Sequence, residues 1–498
     1  MIKNNMGETS RIATNATFLT ISKTISLVVS MIVSMILSRV SSLEEYGSFS
    51  QIMLVVNLFA AIFMLGLPNS LNYFISVLDS DKEKKDFIST YFIATTLLSF
   101  LMGVSLTLAL PLFVRYFKNP LLYSVFFCFL IYPWASILVS NVENLFVAYG
   151  KTKYLNVYRI VSSLLLVASI LVPVLIGWSF RLYLILYLVS YSLLAIFVYC
   201  SAIKFSGGIQ FKVSLPLLKR TLRYSLPIGL ATIVGTLNLE IDKLLIGYFV
   251  STEEMAIYTN AAKELPITII SASISAVLIP QIVMLLKKGK NNSAIKIWSY
   301  SIELSFMFIC LIALGVFVFA EDVMSMLYSS KYLAGSNIFR VYSLVLLLRA
   351  TYYGTILSSV GKTKPIFICS LISLFLNVVL NFVFFFAIGI LGPSIATFIS
   401  ILVTAFVQLI YTCKYTKTSF KRVFPWKRLF IIIAVNSLLG FFFFTLKKTF
   451  PSTSITTSFY DSFRLGLLWS FIVIIVFRKR IKFLWANLNN SDKFLEEK

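Results

Sequence analysis

The chain has 498 residues, of which 58% are hydrophobic and only 13% charged, a composition that excludes an ordinary soluble globular domain. Its formal charge of +24 would suit a nucleic-acid binder, but the basic residues are scattered over short segments between apolar runs and form no basic domain. Histidine is absent, so no imidazole can shuttle a proton or bind a metal. The five cysteines (Cys128, Cys200, Cys310, Cys369, Cys413) lie in or beside apolar runs without metal-ligand spacing and read as small core residues.

The apolar runs are roughly 20 residues or longer, the length a helix needs to cross a hydrocarbon core of about 30 Å. They are continuous rather than alternating, which predicts helices and not barrel strands. The first run, Ala13 to Leu37, is too long for a cleaved signal and is expected to stay in the protein. In chain order 14 spans are predicted, the first six near 13–38, 47–77, 88–112, 121–148, 154–177 and 181–203. The next six fall near 224–249, 255–286, 294–319, 337–359, 365–388 and 391–413, and a last pair near 428–446 and 462–477. The predicted fold class is therefore an all-α polytopic membrane protein of 14 transmembrane helices. With the N-terminus inside, 30 of the 44 basic residues fall on cytoplasmic segments and 8 on external ones, which predicts that both termini are cytoplasmic.

Gly-Lys-Thr-Lys occurs at Gly150–Lys153 and again at Gly361–Lys364, a spacing of 361 − 150 = 211 residues. A phosphate-binding loop would need glycine at 145 and 356, where Leu145 and Ile356 stand, so the tetrads are not nucleotide sites. They read instead as matched turns of a duplicated unit. Val40-Ser-Ser-Leu-Glu-Glu-Tyr resembles Val250-Ser-Thr-Glu-Glu-Met with one residue deleted, and Pro68 and Pro280 follow at similar distances. Six spans per copy, an even number, make the repeat parallel. The expected organisation is an N-lobe at 1–203, an amphipathic cytoplasmic linker at 204–223, a C-lobe at 224–413, and helices 13 and 14 with a basic tail at 414–498. No loop exceeds about 20 residues, which leaves no extramembrane domain for an enzyme.

Charge in lipid costs roughly 2.5–3.5 kcal/mol per side chain on insertion scales, so intramembrane charges mark candidate sites. Lys23 falls mid-span in the first helix. Helix 7 carries Glu240, Asp242 and Lys243, with Glu240 and Lys243 on one face at i and i+3. Helix 8 carries Lys263 and Glu264, and Lys263 matches the depth of Asp242. These charges can form a structural network or a carboxylate–amine switch that a substrate or ion opens. Glu143 and Arg159 lie at equal depth on either side of the Gly150 turn and read as a structural pair. Arg349, 12 residues before Gly361, lies about 18 Å deep and is an anion-site candidate. Glu303 can partner Arg349 or bind a cation, and Arg340 reads as snorkelling outward. Asn377, Asn381 and other amides within the spans read first as helix-joining groups.

Ile241-Asp-Lys-Leu-Leu-Ile-Gly-Tyr-Phe with Ala256-Ile-Tyr-Thr-Asn-Ala-Ala-Lys263 resembles the helix 7–8 signature of bacterial polysaccharide flippases, and Ser38–Gly47 resembles the segment after their first helix. Gly361-Lys-Thr-Lys, the pair Asn377 and Asn381, and Gly389-Ile-Leu-Gly-Pro-Ser-Ile-Ala-Thr are similar to their helix 10–12 region. The resemblance, over most of residues 10–415, is to the O-antigen and capsule repeat-unit flippases (Wzx type) of the multidrug/oligosaccharidyl-lipid/polysaccharide exporter superfamily. It implies two six-helix lobes in a V around a central cavity. It also implies transfer of undecaprenyl-pyrophosphate-linked oligosaccharide to the outer leaflet of the cytoplasmic membrane, in O-antigen and lipopolysaccharide or capsule synthesis.

On that reading Lys23, Lys263 and Arg349 would meet the pyrophosphate in the lumen. Glu240, Asp242, Lys243, Glu264 and Glu303 would form a charge network or couple an ion, and helices 13 and 14 would form a lipid groove. The expected partners are the lipid-linked oligosaccharide, membrane lipids and a polysaccharide polymerase or assembly protein, with no nucleic acid, cofactor or metal, and the chain acting as a monomer without catalysis. The alternative is a small-molecule or drug exporter of the same fold. A membrane glycosyltransferase or O-antigen polymerase would carry a large outer loop, which this chain lacks.

Overall fold

The computed structural model describes residues 24–177, 179–210, 212–450 and 455–489, and every regular element among them is helical. That follows from the sequence: long apolar runs offer the backbone no partner in lipid except its own next turn. Among the described residues nine helices can cross a membrane by length and composition, or ten if a pair bent by 44° counts as one. One of the nine is the 54-residue run Thr363–Thr416, which a 3-10 turn at Gly389–Leu391 divides into two helices of 26 and 25 residues. The chain is thus a multi-pass membrane protein.

The chain forms two compact units, Met1–Ile257 and Tyr258–Lys498. The first holds α1 (Thr24–Val40), α2 (Leu43–Met64), α3 (Leu67–Val77), α4 (Asp81–Leu108), α5 (Leu110–Phe117), α6 (Leu121–Ser124) and α7 (Phe126–Ser140). It continues with α8 (Val142–Ala148), α9 (Thr152–Ile176), α10 (Phe180–Ser206) and α11 (Leu215–Phe249). Its core is built by Leu71, Phe74, Phe87, Tyr91, Leu138, Phe146 and Val198 from α3, α4, α7, α8 and α10. α12 (Thr252–Ala261) runs across the division between the units.

Within the stretch 204–223, α10 continues to Ser206 and α11 starts at Leu215. The residues between are tied to the start of α4: Lys85 Nζ donates to the Gly207 carbonyl (3.0 Å), and the Gln210 and Ser214 amides donate to the hydroxyls of Ser89 and Thr90. α11 packs along α2 and α3. Its Tyr224 stacks on Tyr73 at 4.2 Å.

The span predicted at 47–77 is broken between α2 and α3, where Leu65 and Gly66 both take left-handed conformations (φ 46° and 73°) and Pro68 restarts the helix. α11 fits against this break. A Cβ on Gly229 would lie 2.3 Å from the Leu65 carbonyl carbon, inside any tolerable contact. Gly229→Ala is therefore expected to destabilise the first unit by about 1–3 kcal/mol, the usual cost of overpacking. Thermal unfolding in nanodiscs checks it, with Gly235→Ala as control, since nothing lies within 4 Å of a Cβ there.

The second unit contains α13 (Ile269–Lys287), α14 (Asn291–Val318), α15 (Ala320–Tyr328), α16 (Ser336–Leu348), α17 (Thr355–Ser359), α18 (Thr363–Ile388), α19 (Gly392–Thr416), α20 (Phe420–Val423), α21 (Trp426–Thr449) and α22 (Ile455–Asn489). α14 is its axis and packs against α13, α16, α21 and α22, burying Ile297, Trp298, Ile302, Ile309 and Ala313. The outer faces remain apolar: Phe375, Phe386, Phe430 and Phe441 are each at least 70% exposed, as lipid-facing positions must be.

The two tetrads form the same turn. Gly150 and Gly361 take φ of 65° and 71°. Each glycine amide donates to the carbonyl three residues back, and each following lysine amide to the carbonyl five back (2.7 Å to Phe146, 2.9 Å to Leu357). This is a Schellman ending, which needs a left-handed residue at the glycine. No atom lies within 4 Å of a Cβ at either glycine. Gly150→Ala and Gly361→Ala are accordingly expected to cost about 1–2 kcal/mol each from backbone strain alone, measurable as equal drops in thermal stability. The other matched segment also folds alike, since Ser42 with Glu45 and Ser251 with Glu254 each form a reciprocal capping box.

Candidate functional site

Three of the charges predicted to lie within the membrane sit where helices are interrupted. α12 stops at Ala261, and Lys263 and Glu264 lie in the non-helical stretch before the 3-10 turn Pro266–Thr268. α16 stops at Leu348, leaving Arg349 as its C-terminal cap, and helix resumes only at Thr355. Hydropathy continues through both breaks, so each was predicted as one straight span. The breaks are held by side chains: Ser271 Oγ donates to the Arg349 carbonyl at 2.9 Å, and Trp298 Nε1 donates to Thr351 Oγ1 at 3.1 Å.

The Arg349 guanidinium donates to Glu264 Oε1 from Nη2 (2.8 Å) and Nε (3.2 Å). The two side chains are 33% and 29% exposed, so the pair is not sealed in a core. Lys263, beside Glu264, is half-buried. Irregular backbone at membrane depth exposes polar groups that a continuous helix would satisfy, and membrane transport proteins place binding groups at such breaks.

Of the remaining predicted charges, three lie on α11. Glu240 and Lys243 form the expected one-turn ion pair on α11 (2.6 Å). Asp242 is 1% exposed and accepts the Lys243 amide at 2.8 Å. Glu143 and Arg159 pair at 2.6 Å as predicted, and Arg159 Nη1 also donates to Ser26 Oγ on α1 (2.8 Å). Lys23 lies outside the described residues.

Glu303 departs from both sequence readings. Its partner is not Arg349 but Arg480 on α22, in a bidentate pair (Nε–Oε1 2.7 Å, Nη2–Oε2 2.6 Å), with the Glu303 side chain only 3% exposed. Arg480 had counted only as one of the basic residues marking the cytoplasmic side. A second tie between α22 and the rest of this unit was also missed. Asp322 at the start of α15 accepts from Ser458 Oγ (2.5 Å) and Ser462 Oγ (2.8 Å) and pairs with Lys447. Arg340 bonds Glu321 (2.8 Å) and lines an apolar cavity of about 480 Å³ between α14, α16, α21 and α22. At the Gly150 turn, burial and the nearby Asp81 push the Tyr149 hydroxyl up to about 12, so it remains neutral.

The fold is thus an all-helical, multi-pass one among the described residues, with ion-paired charges at helix interruptions. The structure superposes on the lipid II flippase MurJ in an inward closed conformation with TM-score 0.67, covering 93% of this chain and 99% of that one at 17% identity. It also resembles an inward-facing multidrug resistance MATE family transporter of the MOP superfamily (TM-score 0.60, 14% identity, 79% of this chain and 94% of that one). At these identities the likeness concerns the fold. Within it, the chain belongs to the polysaccharide biosynthesis protein family, whose profile matches residues 12–286. A curated relative, the probable low-salt glycan biosynthesis flippase Agl15 of Haloferax volcanii, is 23% identical over 204 residues, which are 40% of this chain. The match spans 43% of that relative's length.

Proposed function

We propose that the protein is a flippase that moves undecaprenyl-pyrophosphate-linked oligosaccharide repeat units from the inner to the outer leaflet of the cytoplasmic membrane. The observation that carries this reading is the Arg349–Glu264 pair, held with Lys263 at two helix breaks of one unit. A pyrophosphate is a dense anion that a guanidinium grips bidentately. Here the guanidinium is already occupied by a carboxylate, so substrate must displace Glu264. Glu264 in turn reclaims Arg349 as substrate leaves. Such a pair gives two alternative contact sets, which alternating access requires.

The reading includes 14 crossings with both termini cytoplasmic. Six-helix lobes at 1–203 and 224–413 make up the carrier, and helices 13 and 14 are an added pair. α16 and α17, each short of spanning length, are counted in this reading as one crossing interrupted by the break that follows Leu348. Direction comes from an ion gradient or the membrane potential, for which Glu240, Asp242 and Lys243 are candidate groups, and Lys23 and Lys263 add positive charge for the substrate. The repeat units would be those of O-antigen or capsule, handed on to a polymerase or assembly protein, with the carrier working as a monomer. Deleting the gene should abolish the surface polysaccharide and leave lipid-linked repeat units on the inner leaflet, detected by leaflet-selective labelling.

The acidic partners Glu264 and Glu240 also suit a small-molecule exporter that binds cations. That second reading expects acid-driven efflux of cationic drugs and an unchanged surface polysaccharide on deletion.

A further inference from the structure

The first unit contains a cavity with polar groups in its wall, built by α1, α7, α8, α9 and α10 and about 310 Å³ in volume. That is at the lower end of the roughly 300–1,000 Å³ range of small-molecule pockets. Its wall holds the Glu143–Arg159 pair with Ser26, together with Tyr158 and Tyr191.

Two groups in this wall lack partners. Tyr158 is only 6% exposed and its hydroxyl makes no hydrogen bond, and neither does the buried Nε of Arg159. Buried donors of this kind are costly to leave unsatisfied. Ser140 and Ser162 donate to backbone carbonyls of their own helices, Ile137 and Arg159, and so turn oxygen lone pairs outward as acceptors. The cavity therefore presents donors and acceptors together, beside the Tyr191 ring.

That mixture selects among ligand classes. A lipid tail would bury the ion pair and hydroxyls against hydrocarbon. A simple cation would face Arg159, and a simple anion would face Glu143. A polyol, whose every hydroxyl both donates and accepts, satisfies all of them, and an aromatic ring beside it suits the apolar face of a pyranose.

We propose that this cavity is a subsite for one sugar ring of the transported glycan. The inference rests on the reading of the chain as a carrier of lipid-linked oligosaccharide, and it assigns the sugar to first-unit residues distinct from Arg349 and Glu264.

The test is photo-crosslinking of the full chain in cells with p-benzoylphenylalanine replacing Val33, which lines the cavity, or Leu164, which is 66% exposed on an outer face. Purified adducts are digested and read by mass spectrometry for sugar oxonium ions. Glycan adducts are expected at Val33 and not at Leu164. Arg159→Gln should reduce them about tenfold, as expected for losing a hydrogen bond from a charged group. Because that variant also breaks an ion pair, Ser162→Ala, which removes one hydroxyl, serves as a second and milder one, with a smaller reduction expected.

Adducts carrying only lipid mass, a Val33 signal no higher than Leu164, or yields unchanged in both variants would overturn the subsite. Polysaccharide lost on gene deletion but no glycan at Val33 removes the subsite and leaves the carrier reading standing. Polysaccharide unchanged on deletion removes the carrier reading itself.

Discussion

Replacing Arg480 with alanine is expected to cost the second unit about 3–5 kcal/mol, the usual penalty for stripping the partner from a buried charge. The Glu303 carboxylate is 3% exposed and both of its oxygens are occupied by Arg480. Without the guanidinium, a negative charge is left deep against α14, the helix around which this unit packs. The reverse change should cost less. Arg480 is 26% exposed and lies over Phe483 at 4.8 Å near the basic end of α22, so after Glu303→Ala it can reach the membrane interface. The double variant Glu303→Gln with Arg480→Leu removes both charges and should recover most of the loss. Thermal unfolding of the three variants in nanodiscs measures the asymmetry, and equal losses for the two single variants would refute the buried-carboxylate account. A partial rescue by Asp322, which fastens α22 near its other end through Ser458 and Ser462, would appear as retained α22 protection in hydrogen exchange.

What could be read from sequence and what could not divide along physical lines. Local hydrogen-bond patterns are written in local letters. The repeated Gly-Lys-Thr-Lys and Ser-x-x-Glu segments do fold into repeated Schellman turns and capping boxes. Charges close along the chain were equally readable: Glu240 with Lys243 one turn on, and Glu143 with Arg159 at equal depth beside a known turn. The long-range pairs were not. Counting residues inward assumes an unbroken helix at 1.5 Å per residue, and the count fails at Arg349, whose helix stops at Leu348. Glu264 lies in a second break, where Pro266 is a readable stop that the continuous hydropathy of the run masks. Leu65–Gly66 is likewise readable, because Gly66 and Pro68 together are a stop and restart. Arg480 was hidden by its own explanation, since a basic residue at a cytoplasmic helix end already satisfied the orientation rule. The contact of α11 with α2 and α3 through Gly229 is likewise invisible to a repeat, which shows equivalence between segments and not who packs on whom.

Arg349 and Glu264 should respond in opposite directions when substrate binding is measured, although both variants lower export. Arg349→Ala removes the guanidinium that would hold the pyrophosphate. With both side chains about one-third exposed, solvent screening limits the loss to roughly 1.4 kcal/mol, about tenfold in export rate. Arg349→Lys keeps the charge but cannot make the forked contact, so it should fall between alanine and wild type. Glu264→Gln preserves shape and removes the competing charge. Arg349 is then available to substrate throughout, and the bound state is favoured over release. The amount of lipid-linked glycan that copurifies with the protein, measured by mass spectrometry, should fall for Arg349→Ala and rise for Glu264→Gln, while surface polysaccharide falls in both. If Glu264→Gln copurifies less glycan than wild type, the carboxylate is a positioning group for Arg349 and not its competitor. The exchange of partners proposed for transport would then be wrong, even with the ion pair itself intact at 2.8 Å.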